Sequence, residues 1–199
     1  MMGSLLLSIS PILNNVYLHN IEVELLRELN LNRLTHLDGF FQFISSSVSF
    51  VAWGIPALLL IYGIVIKQVQ IRNKGILILS SVSISSLSSL ALKHIIDRQR
   101  PFNTYDFFEK LSAGGSPSFP SGHTTEAFAF AVAICVAFPR WYIIIPSLFW
   151  ALTVGYTRMS LGVHYPSDVM AGIVLGIVSV AIYLKFQKTY IKGLGISVS

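Results

Sequence analysis

The stretch from residue 120 to 138 reads PSGHTTEAFAFAVAICVAF, in which a polar tetrapeptide ending at His123 precedes an apolar run. Ser121 can cap a helix that begins here, and Gly122 lets a ligand approach the backbone closely. The free N–H groups at a helix start favour an anion, which His123 would then face. The alternative is a histidine that only marks the membrane boundary. The stretch predicts a membrane helix that begins at a polar site.

Long apolar segments lie on both sides of this stretch. A membrane helix needs about 20 mostly apolar residues, and the runs are too long and too irregular for alternating β-strands. The sequence therefore predicts an all-α, polytopic membrane helix bundle of about five to six helices. Gly172 and Gly176 predict a close helix-packing face near its end. The predicted spans are 48–66 (extended upstream by 37–47), 75–96, 124–138, 141–157 and 169–184.

Composition supports membrane residence in a single domain, residues 1–199. Of the 199 residues, 53% are apolar and 12% are charged, against about 25% charged in soluble domains. The net charge of +5 comes from basic residues that flank the predicted spans, so we expect no nucleic-acid partner. The lone Cys135 excludes an internal disulfide and a multi-cysteine metal site. Residues 1–36 predict an interfacial, amphipathic segment before the helical bundle of residues 37–199.

A second polar cluster lies upstream, where Lys93 precedes Arg100 and Pro101. The two cations are seven residues apart, so one helix would present them on one face, and Pro101 would end that helix. Such a pair can clamp a phosphoryl group, for which arginine supplies a bidentate fork. The alternative is a pair of interfacial cations, with Asp97 balancing the charge of Lys93.

The third polar cluster contains Arg158, His164 and Asp168. The spacing of four residues lets the carboxylate of Asp168 bond one imidazole nitrogen of His164, which makes the other nitrogen a better nucleophile. Pro166 suits the first turn of a helix, and an acidic residue suits its positive end. The alternative is a helix-capping aspartate beside an unrelated histidine.

Tracing the predicted helices brings all three polar clusters to one end of the bundle, here named the motif face. The opposite end, here named the basic face, collects seven basic residues and no acidic one. The positive-inside rule makes the basic face cytoplasmic and the motif face extracytoplasmic. We expect the bacterial inner membrane as the location. The basic residues are Lys67, Arg72, Lys74, Arg140, Lys185, Lys188 and Lys192.

The three clusters in this order, Lys-x6-Arg-Pro, Pro-Ser-Gly-His and Arg-x5-His-x3-Asp, resemble the signature of the type 2 phosphatidic acid phosphatase superfamily. Thr157 stands where the family usually has serine, and it keeps a hydroxyl. The resemblance covers about residues 93–176 and implies a catalytic core like that of the haloperoxidases. It also implies a phosphatase that needs no metal or other cofactor.

The resemblance implies a role for each residue of the motifs. His164 would attack phosphorus and become phosphohistidine, and Asp168 would orient it. His123 would protonate the leaving oxygen and later activate water. The phosphoryl oxygens would be held by Lys93, Arg100, Ser121, Gly122 and Arg158.

These observations predict an integral membrane lipid phosphatase whose partners are a phosphorylated lipid and the bilayer, with no obligate protein partner. Candidate substrates are phosphatidylglycerophosphate, phosphatidate, undecaprenyl diphosphate and lipid A phosphate. Gly122, where some undecaprenyl-diphosphate phosphatases have aspartate, slightly favours an enzyme of broad specificity or of the glycerolipid type. A lipid phosphotransferase using the same phosphohistidine is the alternative enzyme. A non-catalytic lipid-binding or transport protein is the alternative of another class. Glu126, one turn beyond His123, would bond that histidine or line the cavity.

Overall fold

The computed structural model describes residues 2–112, 114–115 and 117–193, with side chains described between residues 17 and 189 of those ranges. Within this part of the chain the secondary structure is helical and contains no strand. The all-α prediction is confirmed. The helices are α1 (Met2–Leu31), α2 (Asp38–Ser49), α3 (Ile55–Val65), α4 (Val69–Ile96), α5 (Pro101–Thr104), α6 (Gly122–Ala137), α7 (Trp141–Ser160) and α8 (Pro166–Gly193).

Three described segments are long and apolar enough to cross a membrane, and they confirm the predicted membrane residence. They are Thr35–Val65, Val69–Thr104 and Pro166–Thr189. The first joins α2 and α3 through a π-helical turn, Phe50–Gly54. Five spans were predicted, but α6 is a shorter apolar helix of 16 residues. Helix α7, which was also predicted to span, is not among these three segments.

Helix α6 forms the centre of the bundle, where it contacts α4, α7 and α8. Its residues from Ala127 to Ala131 are all buried. The predicted glycine face lies where α8 meets this helix. A Cβ atom at Gly176 would lie 2.7 Å from the carbonyl oxygen of Thr125, so only glycine permits this close approach. The tight contact fixes the start of α8 relative to the start of α6.

Helix α4 carries a series of serines that the bilayer core cannot solvate. The hydroxyl of Ser81 donates to the carbonyl oxygen of Leu77 at 2.8 Å, and that of Ser83 donates to Leu79 at 2.9 Å. These two hydroxyls are therefore satisfied inside their own helix, as a low-dielectric environment requires.

The helix ends divide between two faces as the sequence predicted. At the basic face, the ammonium group of Lys74 lies 4.1 Å from the ring centroid of Phe138, which joins the start of α4 to the end of α6. At the motif face, the ends of α4 and α7 and the start of α6 surround one cavity. The polar clusters therefore share one end of the bundle.

Helix α1 lies across the motif face. It is one continuous helix of 30 residues. Its Val23 and Leu26 pack against Phe108 and Tyr165. The amide of Asn30 donates to the carbonyl oxygen of Ser160 at 2.9 Å, which ties α1 to the end of α7. The side chains before residue 17, which belong to the predicted interfacial segment, lie outside the described residues.

Candidate active site

A cavity of about 220 Å³ opens at the motif face where α4, α6 and α7 end or begin. It brings together six of the eight residues predicted for the site, and the other two, Ser121 and Asp168, are buried beside it. Its lining is formed by Lys93, Arg100, Gly114, Gly115, Gly122, His123, Arg158 and His164.

The first cluster reaches the cavity by a different route from the predicted one. Helix α4 ends at Ile96, and Asp97 adopts a left-handed conformation with φ 45°. Arg100 is extended, with φ −78° and ψ 154°, and Pro101 begins α5. The prediction that one helix presents both cations is therefore wrong. A residue before proline disfavours helical geometry, and this turns Arg100 out of the helix.

Lys93 and Arg100 nevertheless meet at the cavity wall. The Lys93 ammonium group donates to the carbonyl oxygen of Pro117 at 2.6 Å. Arg100 donates to the carbonyl oxygen of Val163 at 2.9 Å. A Cβ atom at Gly114 would lie 2.8 Å from the Arg100 guanidinium, so this glycine lets the loop close over the arginine. The loop between α5 and α6, to which Gly114 belongs, is thus part of the site.

The start of α6 contributes Gly122 and His123 to the lining. Ser121 precedes the helix in an extended conformation, but its hydroxyl does not cap the helix as predicted. It pairs with the Thr124 hydroxyl at 2.9 Å, and its backbone N–H donates to the carbonyl oxygen of Asp168 at 3.0 Å. The first N–H groups of a helix have no intrahelical acceptor, so they remain suited to an anion.

Arg158 enters the cavity from the last turn of α7. Its side chain is almost completely buried and donates to the hydroxyls of Ser45 and, at 3.1 Å, Ser112. These hydroxyls hold the guanidinium in place without adding a negative charge. The cavity therefore combines three cationic side chains with a helix start, an arrangement that favours a phosphate group.

His164 and Asp168 form the predicted pair across the start of α8. His164 lies in the loop before Pro166, and Asp168 lies in the first turn. The Nδ1 atom of His164 is 3.4 Å from the carboxylate Oδ2 of Asp168, and its Nε2 atom is 3.3 Å from the Arg100 guanidinium. Both distances are at the long end of the range for a hydrogen bond.

The tautomer of His164 follows from these neighbours. Arginine has only donors, so the Nε2 atom beside Arg100 is the acceptor. The proton is therefore on Nδ1, directed at the carboxylate of Asp168, and the lone pair of Nε2 is on the side of the cavity. Burial lowers the pKa of His164 to about 3, and the charges of Arg100 and Arg158 act in the same direction against the opposing effect of Asp168. The imidazole is neutral at physiological pH.

The carboxylate of Asp168 is held by three groups that were not predicted from the sequence. The backbone N–H of Tyr165 donates to Oδ2 at 3.0 Å, and the Ser118 hydroxyl donates to the same oxygen. Arg98 donates to Oδ1 at 2.8 Å. Arg98 and Ser118 lie close to motif residues in the sequence, but their spacing from Asp168 carries no local signal.

Glu126 has neither of the two roles considered from the sequence. Its carboxylate accepts hydrogen bonds from the Ser86 hydroxyl at 2.8 Å and from the Trp53 indole at 3.3 Å. It therefore links α6 to α4 and to the π-helical turn inside the bundle. In the described part of the chain, no group of three His, Cys, Asp or Glu side chains could hold a metal ion.

Comparison with known proteins also indicates a protein that acts on phosphate groups. Residues 74–192 match the model of the PAP2 superfamily. The undecaprenyl-diphosphatase of Sulfolobus acidocaldarius is 32% identical over 156 residues, covering 77% of this chain and 72% of that protein. The lipid A 1-phosphatase of Rhizobium etli is 38% identical over 107 residues, which cover 51% of this chain and 45% of that protein.

A solved structure extends the likeness to three dimensions. The crystal structure of the transmembrane PAP2-type phosphatidylglycerolphosphate phosphatase from Bacillus subtilis superposes with a TM-score of 0.70 at 25% identity, covering 87% of both chains. The helical frame is therefore similar well beyond the motifs. Together these findings show that the chain belongs to the PAP2 superfamily and is a membrane phosphatase of that family.

Proposed function

We propose that this phosphatase removes phosphate from a membrane lipid in two steps, with His164 as the nucleophile. The observation that carries the proposal is the position of His164 on the wall of a cavity that also contains Lys93, Arg100 and Arg158, with its Nε2 atom 3.3 Å from the Arg100 guanidinium. The cations stabilise the charge of the transferring group, which is the main task in phosphoryl transfer.

In the first step, Nε2 of His164 forms a bond to phosphorus while the bond from phosphorus to the lipid oxygen breaks. His123 in its imidazolium form gives a proton to the departing oxygen, and Asp168 stabilises the charge that develops on the imidazole of His164. In the second step, His123 takes a proton from water, whose oxygen attacks phosphorus. The phosphorus–nitrogen bond breaks, inorganic phosphate leaves and His164 returns to its initial state.

The size of the cavity supports a substrate that inserts only its phosphate. Sites that enclose whole drug-sized ligands measure about 300–1,000 Å³, whereas this cavity measures about 220 Å³. The apolar chains of the substrate would then remain in the bilayer beside the bundle. The named activities of similar proteins support a phosphomonoester or diphosphate of a prenyl, lipid A or glycerophospholipid type.

The decisive experiment measures phosphate release from a panel of purified lipid phosphates in detergent, with a His164→Ala protein as control. We expect release from at least one lipid and a phosphate label on the wild-type protein that is stable in alkali and labile in acid. Activity should survive EDTA. Turnover by the His164→Ala protein, or loss of activity in EDTA with recovery in Mg²⁺, would refute the mechanism. Transfer of the label to a second lipid instead of water would identify a phosphotransferase.

The proposed orientation places the motif face outside the inner membrane. Cysteines introduced at the exposed Asp106 and Asn73, in a Cys135→Ala background, test it. We expect an impermeant thiol reagent to label Asp106→Cys from outside and Asn73→Cys only after permeabilisation. The reverse pattern would put the active site in the cytoplasm.

A further inference from the structure

We propose that Glu22 and Arg98 are positioning residues that hold the carboxylate of Asp168 in place for His164. This inference rests on the proposed role of His164 as the nucleophile. Glu22 lies in α1, outside the region 74–192 that matches the family. The proposal therefore makes α1 a part of the catalytic apparatus and not only a cover for the bundle.

Glu22 uses both carboxylate oxygens. Oε1 accepts from the guanidinium of Arg98 and from the imidazole of His19 at 3.0 Å. Oε2 accepts from the hydroxyl of Ser167. These donors come from α1 itself, the segment after α4 and the start of α8. One carboxylate thus joins three parts of the chain at the edge of the site.

Arg98 extends this contact to the reacting pair. One nitrogen donates to Glu22, and another donates to Oδ1 of Asp168 at 2.8 Å and to the hydroxyl of Ser167 at 2.7 Å. Its guanidinium lies over the ring of Tyr165 at 3.8 Å, which fixes its plane. Because Oδ1 is held by Arg98, Oδ2 is the oxygen that remains directed at His164.

The charges of Arg98 and Asp168 explain why the carboxylate of Glu22 affects the position of Asp168. Asp168 is completely buried, and a buried anion requires a cationic or hydrogen-bonding partner. Arg98 serves both Asp168 and Glu22. Burial raises the pKa of Glu22, but hydrogen bonds from Ser167, His19 and Arg98 outweigh it and lower the pKa overall, so this group is an anion. Removing the charge of Glu22 would weaken its hydrogen bond with Arg98, and the guanidinium could then move relative to Asp168.

Packing holds α1 in the position that this role requires. The other imidazole nitrogen of His19 lies 3.1 Å from the Tyr105 hydroxyl. Leu26 is fully buried, and Asn30 bonds the carbonyl oxygen of Ser160 at 2.9 Å and the backbone N–H of Glu109 at 3.1 Å. The helix is therefore anchored on both sides of Glu22, so a change of that residue acts at a defined point.

The test compares Glu22→Gln and Arg98→Gln with Glu24→Gln, a matched change on an exposed part of the same helix. A small displacement of reacting groups can cost about 100-fold in rate. We therefore expect kcat to fall about 10- to 100-fold for both test variants, with KM and vanadate inhibition nearly unchanged because the cavity cations are intact. Arg98→Lys should restore part of kcat, since it restores the charge. Glu24→Gln should match the wild type.

Each outcome bears on the inference separately from the proposed function. Unchanged kcat in Glu22→Gln, or equal losses in kcat and vanadate binding, would overturn the positioning role while leaving His164 as the nucleophile. Turnover by the His164→Ala protein would instead refute the proposed function. Melting temperatures in detergent identify unfolding, and if Glu22→Gln does not fold, Arg98→Lys decides: kcat equal to that of Arg98→Gln would refute the inference.

Discussion

The motif face contains two kinds of arginine in different surroundings. Arg100 and Arg158, in the cavity, donate to the carbonyl oxygen of Val163 and to serine hydroxyls. Arg33 and Arg98, outside the cavity, form salt bridges with pairs of carboxylates. The same side chain therefore serves two purposes. An arginine on the cavity wall places its positive charge where an anion can bind, whereas one between two carboxylates joins segments of the chain.

His164 lies between two regions, the cavity that contains Arg100 and Arg158 and the outer region of salt bridges formed by Arg33 and Arg98. Its Nε2 atom is beside Arg100 on the cavity side, and its Nδ1 atom is directed at Asp168, which Arg98 holds from the other side. The comparison therefore separates substitutions into those that weaken phosphate binding, those that slow the chemistry and those that affect only stability.

The largest fall in kcat should follow the replacement of His164, which lies between the two regions. We expect His164→Ala to lower kcat by something on the order of 10⁶-fold, because the variant lacks the proposed acceptor of the phosphoryl group. Asp168→Asn should leave weak residual turnover, since the imidazole remains but loses its orientation. Phosphate release from a lipid substrate measures both, and circular dichroism in detergent checks the fold. Equal residual activities would show that His164 and Asp168 do not act as nucleophile and support.

Replacement of the second cavity histidine should depend on the substrate. A general acid is worth about 10²–10⁴ in rate, and it matters most when the leaving group is a lipid alkoxide. We therefore expect His123→Ala to lower hydrolysis of a lipid phosphate by that factor and hydrolysis of p-nitrophenyl phosphate far less. Parallel assays of the two substrates measure the difference. Equal losses would leave His123 as a phosphate-binding residue.

The next prediction compares the two kinds of arginine directly. Arg100→Gln removes a charged donor from the cavity, and such hydrogen bonds contribute about 1.5–3 kcal/mol. We expect vanadate inhibition to weaken about 10- to 150-fold, which corresponds to that range. Arg33→Gln is the control, since Arg33 binds Asp38 and Glu109 away from the cavity. Similar weakening of vanadate inhibition in both variants would show that the cavity arginines do not differ from the outer arginines in anion binding.

The smallest effect on activity should follow a change in the outer region. Arg33 is buried and pairs with Asp38 at 3.1 Å, which joins the end of α1 to the start of α2. We expect Arg33→Gln to lower the melting temperature by about 2–8 °C, the shift that follows from about 1–2 kcal/mol in a protein of this size. Its kcat should remain within about twofold of the wild type, because no catalytic group depends on it. A much larger fall in kcat would extend the positioning network to Arg33.

Much of the site could be predicted because its residues lie close together in sequence. The pair of His164 and Asp168 needs only one turn of chain, and their spacing of four residues predicts the contact that the structure contains. Lys93 and Arg100 lie on the wall of one cavity, but the prediction that a single helix joins them was wrong. The left-handed Asp97 ends α4 early, and no strong sequence signal marks an aspartate that adopts this conformation.

The sequence by itself determined that the chain resides in a membrane, that its helices are antiparallel and that its polar clusters share one face. Apolar run length and local spacing carry that information, since both depend on neighbouring residues. Only the tertiary structure decided that Arg98 binds Asp168, 70 residues away, and that Glu22 binds Ser167, 145 residues away. Such contacts arise from helix packing, in which close approaches such as Gly176 on Thr125 set which side chains meet.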